Sequence, residues 1–386
     1  MERFDVAIIG AGPAGAAAAI SLARKGHSVA LIDKEKFPRE KLCGDFINPI
    51  NWPILRELGM EDDILATEHE KVTAFRITAC SGEEAEARLP SRKEQADFGL
   101  GMRRWSFDYA LLRKAERAGV AVFQGGKVKK LKRCSQAWSV AMNHSATIAE
   151  LRADILIAAD GRNSWLAHRL GLTGAAEMHG RSVGFQLRLQ VADVTHGRVE
   201  IHLLPGGYAG VVGLGDGTVN LCLAMEKEKL PHQRQVEFLW NSCLPHNPYL
   251  KELLRRSVRV GEARSTYPVY FKPRRCFADG VLLVGDAARV SEPMSGEGIY
   301  FAMKSGLLAA ETVGEAFCSG DFSTAHLGRY ERKCRRAFRF RRGINSLVRN
   351  LIYRPRLLAP LVRFSAKQGR LLDSLVDAIC TPEPAR

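Results

Sequence analysis

Three stretches far apart in the chain each end an apolar run with glycine and a carboxylate. Val6 to Ile9 leads into Gly10-Ala11-Gly12-Pro13-Ala14-Gly15, and an alanine-rich segment then carries the chain to Ser28–Ile32 and Asp33. Ile155 to Ala159 leads into Asp160-Gly161, and Val281 to Val284 into Gly285-Asp286. The first stretch has the chemistry of a dinucleotide site. Gly10 permits a tight turn, Gly12 leaves no side chain between backbone and pyrophosphate, and Gly15 lets a helix lie close on the strand. The helix N-terminus offers free N–H groups and the positive end of its dipole to the phosphates. Asp33 can accept hydrogen bonds from both ribose hydroxyls of an adenosine, where a 2′-phosphate would be repelled.

Positioning these groups requires strand, turn, helix and strand in succession, and Phe4 to Glu35 reads as that complete βαβ unit. The charged loop Phe37-Pro38-Arg39-Glu40-Lys41-Leu42-Cys43-Gly44-Asp45 follows directly, beside the nucleotide site. Val72–Thr78 and Ala85–Leu89 flank Ser81-Gly82 as a hairpin. A helix opens at Arg103 to Asp108 with Ser106 as its N-cap and Phe107, Leu111, Leu112 and Ala115 on one face. Short strands follow at Val120–Phe123 and Lys127–Leu131, then a hairpin of Ala137–Met142 with Ala146–Leu151. The run 155 to 159 is wholly apolar, as for a strand buried on both faces, and it delivers Asp160-Gly161 at its carboxyl end, where open α/β sheets bind ligands.

From Val183 the apolar period becomes two, in 183–191 and again in 219–225, which a glycine turn at 215–217 joins to 210–214. That alternation predicts antiparallel sheet with one solvated face. Helical patches at 234–239 and 250–254 close this part. Pro293-Met294-Ser295-Gly296-Glu297-Gly298 then opens a helix running to about Phe317. The fold class expected is α/β: a Rossmann-type domain with a parallel sheet (1–71, 99–178 and 271–327), interleaved with an antiparallel-sheet substrate domain (72–98 and 179–270). A C-terminal basic helical region spans 328–386.

Composition sets the broad class. At 386 residues, 46% hydrophobic and 26% charged, the chain can bury a sizeable core. No signal peptide is expected, and no apolar stretch has spanning length. Nine cysteines without a C-x-x-C pair point to reduced thiols in a cytoplasmic setting, and the dispersed histidines argue against a bound metal. The net charge is +15, and residues 328–386 hold 15 Lys and Arg against 4 Asp and Glu, a net of +11. Nucleic-acid binding through Arg329 to Arg342 is not expected, because no base-stacking aromatics sit on a recognised module.

Taken together, the three glycine–acid stretches resemble the FAD-dependent monooxygenases and reductases that share the para-hydroxybenzoate hydroxylase fold, including the geranylgeranyl reductase-like branch. The likeness covers about residues 4 to 317. It implies that Asp33 binds the adenosine ribose, that Arg39 and Arg104 contact the dinucleotide, and that Asp160-Gly161 supports the cofactor. Asp286 would bind the ribityl chain, and Gly296-Glu297-Gly298 would open a helix whose N-terminus faces the flavin N1–C2=O edge, where reduced flavin carries negative charge. Pro13, Ala14, Lys34, Gly44, Val128, Gly285, Pro293 and Ile299 complete the expected FAD site. The Cys43-Gly44 pair and Gly206-Gly207-Tyr208 are similar to the reductase branch, whose tryptophan-containing signature is missing. No Trp-x-Trp of the flavin halogenases occurs.

Three residues stand as catalytic candidates. Tyr208 is an active-site hydroxyl or a packing residue of the sheet; Asp45 is a general acid or base, or a loop-capping carboxylate; Cys43 is placed near the isoalloxazine rather than as a nucleophile. Glu297 is read as fixing its turn. The activity expected first is an NAD(P)H-consuming monooxygenase acting on a hydrophobic or carrier-bound substrate, with isoprenoid double-bond reduction and halogenation as alternatives. Because no second glycine fingerprint exists, NAD(P)H would bind transiently over the flavin, or a partner would deliver the electrons. In the C-terminal region, Phe340, Ile344, Leu347, Val348 and Leu351 share one helical face flanked by Arg339, Arg341, Arg342 and Arg349, and Leu371, Leu372, Leu375, Val376 and Ile379 share another. This region reads as a lid, a contact for an acidic protein or a membrane surface, or a packed face with arginines in water.

Overall fold

The computed structural model describes residues 2–90, 98–135, 137–144, 147–174, 182–192, 197–290, 293–367 and 370–381. Its organising layer is an eight-stranded sheet in which Val281–Leu283, Thr147–Ala158, Glu2–Ile9, Val29–Asp33 and Ala121–Gln124 lie side by side in parallel. Val6, Ala7, Ile8, Ile155, Ile157 and Leu282 are wholly buried, and each fully buried Val, Ile or Leu side chain contributes about 1.5–3 kcal/mol of transfer free energy. Parallel neighbours end on the same edge. Past their ends the ladder continues from Gly10 N to Ile32 O at 2.7 Å, from Ala159 N to Ile9 O at 2.7 Å and from Val284 N to Ala158 O at 2.9 Å. This adjacency brings the three glycine–acid stretches to one edge although some 270 residues separate the first from the last.

Two helices cover the sheet near that edge. Pro13–Arg24, with Ala16 to Ala19 wholly buried, packs against Gly298–Ser319. Alanine is the residue that lets them approach, having neither bulk nor rotamer entropy to lose. The predicted hairpin strand at 147–151 and the buried run at 155–158 are one strand, Thr147–Ala158, whose first half pairs antiparallel with Ala137–His144. Ala146 lies outside the described residues.

The second sheet has seven strands, in the order Ser257–Thr266, Ser182–Val191, Thr218–Glu226, Gly207–Gly213, Arg198–Leu204, Ala74–Thr78 and Glu84–Arg88. The 74–88 hairpin joins it through parallel pairing of Ala74–Thr78 with Arg198–Leu204. A small third sheet ties Phe46–Ile47 and Glu70–Val72 to Gly99–Gly101. The expectation of a solvated face on the large antiparallel sheet fails. One face packs Phe185, Leu187 and Leu221 against Leu239, Leu244 and Leu250. The other carries Gln186 and Asn220, 1% and 0% exposed, toward the 38–45 loop. Polar side chains at alternate strand positions meant a polar interior partner here, and the period alone does not distinguish that from water.

The C-terminal helices Arg339–Ile352, Pro355–Lys367 and Arg370–Cys380 cover the same sheet face and hairpin, with Ile352, Val362, Leu372, Val376 and Cys380 in one apolar cluster with Val199, Leu203 and Tyr208. In Arg339–Ile352 the buried residues are Arg341, Asn345, Val348 and Ile352. The inward face is thus rotated by one residue from the predicted apolar stripe, and Phe340 and Leu347 stay exposed at 54% and 61%. An apolar face competed with a buried ion pair for the interior, and the ion pair took it. No helix of the described residues is long and apolar enough to cross a membrane.

Candidate functional site

A cavity of about 920 Å³ runs from the edge of the parallel sheet to the face of the antiparallel one. Its nucleotide end is made largely of backbone. A Cβ on Gly10 would lie 2.2 Å from the Ala159 carbonyl oxygen, and one on Gly15 would lie 1.9 Å from the Gly10 carbonyl oxygen. Only glycine allows the turn and helix to close so tightly. The Asp33 carboxylate accepts from Ala11 N–H at 2.8 Å and Glu35 N–H at 3.0 Å, which fixes it at the rim. Gly10, Gly12, Pro13, Ala14, Asp33, Lys34 and Val128 all line this end.

Two predicted arginines meet here through a residue that sequence reasoning passed over. Asp108, wholly buried, accepts from Arg39 Nη1 at 3.0 Å and takes both arms of Arg104 at 3.0 Å. Arg39 also lies 3.7 Å from Asp33. Both arginines line the cavity. The carboxylate holds two cations at the wall, ready for an anionic ligand such as a pyrophosphate. Its position four residues after Arg104 on one helix face was the available signal.

At the middle of the cavity, Asp160, Gly161, Asp286, Pro293, Gly296, Gly298 and Ile299 converge. Asp160 also accepts from Leu166 N–H at 3.1 Å, and burial raises its pKa. Asp286 faces Arg162 at 3.5 Å. The N-terminus of the 22-residue helix Gly298–Ser319 points its unpaired N–H groups into this region. Gly15, Gly285 and Glu297 do not line the cavity; Gly15 and Gly285 act in packing. Glu297, 1% exposed, turns away to pair with Arg341, itself 1% exposed, and accepts from Asn345 Nδ2 at 3.0 Å. Arg341 also donates to the Ile379 carbonyl at 3.0 Å and to the Thr381 carbonyl. The C-terminal helices are therefore fastened to the turn that starts the long helix.

The 38–45 loop is held by the antiparallel sheet. The Cys43 carbonyl oxygen accepts from Gln186 Nε2 and Asn220 Nδ2 at 3.0 Å each and from Cys222 Sγ at 2.9 Å. Cys43 and Gly44 line the cavity. Burial pushes the Cys43 thiol upward in pKa, against the pull of Arg104, so it stays protonated. Asp45 does not line the cavity, which corrects its reading as an acid or base in contact with substrate. It is wholly buried, pairs with Arg188, and accepts from Arg104 N–H at 3.1 Å. It thereby supplies the N-terminal cap of Arg104–Arg117 from a remote loop, in place of Ser106, which lies within the helix. Burial lifts its pKa to about 6, with Arg188 opposing. Gln186, Arg188 and Asn220 were missed because each sits at a polar strand position that reads as solvent-facing.

The far end is apolar. Val199, Ile201, Tyr208, Val212, Ala224 and Val269 line it, with Gly184 and Gly210 leaving room. Tyr208 packs against Tyr353 of the C-terminal helices, ring centroids 6.3 Å apart. The whole arrangement fits FAD: a backbone cradle closed to any Cβ, two arginines on a shared carboxylate, an acid at the rim, and a helix N-terminus at the centre. Among the described residues no group of three or more metal-ligating side chains gathers.

Comparison with known proteins agrees with this geometry. A family model described as an FAD binding domain matches residues 3–339. The chain is 30% identical over 344 residues to digeranylgeranylglycerophospholipid reductase 1 of Methanothermobacter thermautotrophicus, covering 87% of this chain and 83% of that protein. It is 27% identical over 390 residues to the digeranylgeranylglycerophospholipid reductase of Thermoplasma volcanium, covering 98% and 92%. Among solved structures, a geranylgeranyl bacteriochlorophyll reductase-like protein of Thermoplasma acidophilum superposes with a TM-score of 0.83 at 23% identity, covering 100% of this chain and 97% of that one. The flavin-dependent brominase Bmp2 superposes with 0.81 at 22% identity, covering 98% and 93%. At those identities the structural likenesses establish the fold.

Proposed function

The chain belongs to the FAD-binding domain family and is an FAD-dependent oxidoreductase, and we propose that it reduces double bonds of an isoprenoid chain with electrons from NAD(P)H. The observation that carries this reading is the continuity of one cavity from the FAD cradle to an apolar floor free of ionised side chains. Similarity to relatives named as digeranylgeranylglycerophospholipid reductases supports reduction over the oxygenation expected first from the sequence.

When bound and reduced by NAD(P)H, FAD would supply the hydride equivalent for one carbon of the double bond, with a proton going to the other carbon. The chain's own groups do the rest. Gly10 to Gly15, Asp33, Arg39 and Arg104 hold the dinucleotide. The N–H groups at Gly298 favour negative charge at the cavity centre. Val199, Ile201, Val212 and Val269 take up an extended apolar chain and exclude water. Cys43 and Cys222, kept as thiols by burial, stand on the wall next to that chain with the Tyr208 hydroxyl.

Anaerobic incubation of purified protein with a prenylated lipid and NADPH tests the proposal. The expected product carries two more hydrogens per double bond and forms without oxygen. A product heavier by one oxygen atom, formed only in air, would establish the monooxygenase instead.

A further inference from the structure

Beside the main cavity lies a groove of about 330 Å³, lined by Glu40, Lys41, Leu42, Arg162, Arg264, Ser265 and Thr266. It shares Glu40, Lys41, Leu42, Arg162 and Thr266 with the cavity, so the two are continuous. Their junction runs from the middle of the cavity, where a Cβ on Gly161 would lie 3.6 Å from Lys41 Nζ and Arg162 faces Asp286, to the substrate end, where Thr266 pairs in register with Gly184.

The cations of the groove have unspent donors. Arg264 meets only Glu40 among the described residues, at 3.3 Å. Glu40 is shared, since Arg188 also approaches it at 3.9 Å. Arg162 gives one donor to the Pro268 carbonyl at 3.1 Å and faces Asp286 at 3.5 Å, outside hydrogen-bond reach. Lys41 finds no hydrogen-bond acceptor among the described residues. The residue is exposed and lines both cavity and groove; desolvation lowers its pKa, Asp286 raises it, and Arg162, Arg104 and Arg39 lower it further. Lys41, Arg162 and Arg264 thus face two carboxylates, Glu40 and Asp286, and Arg188 also draws on Glu40, so the site is short of negative charge.

We propose that this groove is a phosphate site, in which Lys41, Arg162 and Arg264 receive the phosphate or diphosphate of a ligand whose other end reaches the main cavity. The inference rests on the reading of the chain as an FAD-dependent reductase of apolar chains. Two phosphate esters share this chemistry, the headgroup of an isoprenoid substrate and the pyrophosphate of NAD(P)H. Both must arrive from outside while FAD fills the cradle, and the groove opens where an outer ligand enters.

Inorganic pyrophosphate titrated into FAD-loaded protein by calorimetry is the first test. Arg264→Gln, outside the FAD cradle, should weaken its affinity at least about tenfold, the loss of one charge-assisted contact. Glu40→Gln should tighten it, because Arg264 then loses its competing partner; general damage would not produce opposite shifts. Steady-state kinetics names the source. Arg264→Gln raises KM for a prenyl diphosphate, but not for the matching prenol, if the headgroup binds here. It raises the half-saturating NADPH concentration for anaerobic flavin reduction if the nucleotide does. Pyrophosphate affinity unchanged in both variants, with yellow protein and prenol turnover intact, would overturn the groove while sparing the reductase reading. Colourless protein or absent prenol turnover would strike that reading, and the opposed Arg264 and Glu40 shifts still decide the groove.

Discussion

The two ends of the cavity are built by different means. At the nucleotide end the turn closes on its own unit, Gly10 against Gly15 and Asp33 on Ala11 and Glu35, with the Ala159 carbonyl and the Asp108 carboxylate the contacts from outside it. At the flavin turn and the sheet the contacts come from side chains far away in the chain. Asp45 is held by Arg188, Cys43 by Gln186 and Asn220, and Glu297 by Arg341. The difference teaches that the turn at the heart of the cradle is a local motif carried by one βαβ unit, whereas the reactive region exists only when both sheets and the C-terminal helices have docked.

The largest expected effect sharpens this contrast. Arg341→Met leaves the Glu297 carboxylate buried and without its cation, and should lower stability in urea unfolding by about 3–5 kcal/mol, as for a broken buried ion pair. Adding Glu297→Gln should recover part of that loss, since the uncompensated charge is gone. A loss under about 1 kcal/mol would mean that the C-terminal helices are not fastened to the turn, and the contrast would break.

A smaller change in stability, with a larger one in colour, is expected at the other end. Gly15→Ala places a Cβ where the Gly10 carbonyl now sits, 1.9 Å away, and should cost roughly 1–3 kcal/mol of folding free energy as an overpacked contact. The helix must shift off the strand, so the absorbance of bound flavin should fall while the far-UV circular dichroism stays near wild type. Retention of full colour would mean that the cradle does not depend on its backbone closure.

The last effect concerns pH and develops only on acidification. Asp45 has a folded pKa of about 6 against 3.8 ordinarily, so the folded chain takes up this proton before the unfolded chain does. As pH falls from 7 toward 4, the group therefore adds to stability. Asp45→Asn lacks that contribution, and the wild-type Tm minus the variant Tm should rise on acidification through the window from about 6 to 3.8. A difference that falls instead would show that Arg188 dominates burial and holds Asp45 well below its ordinary range.

Much of this molecule was written in short-range pattern. The glycine turn with Asp33, the buried runs at 6–9, 155–158 and 281–283, and the period-two strands from 183 each depend on neighbours within one element, so their residue types betray them. That three glycine–acid stretches belong to one FAD site was implied by the resemblance to the hydroxylase-fold flavoenzymes, and the parallel sheet supplies the physical reason, since its strands share one carboxyl edge. What the tertiary structure alone decided was the fate of polar groups. Gln186, Arg188 and Asn220 have the spacing of a solvated face, and Arg341 that of a solvated flank, yet all four are buried. A polar side chain is satisfied equally by water or by a partner, and the partners here, the Cys43 carbonyl, Asp45 and Glu297, lie tens to hundreds of residues away. Periodicity records which side chains avoid water. It carries no record of which polar groups have found each other.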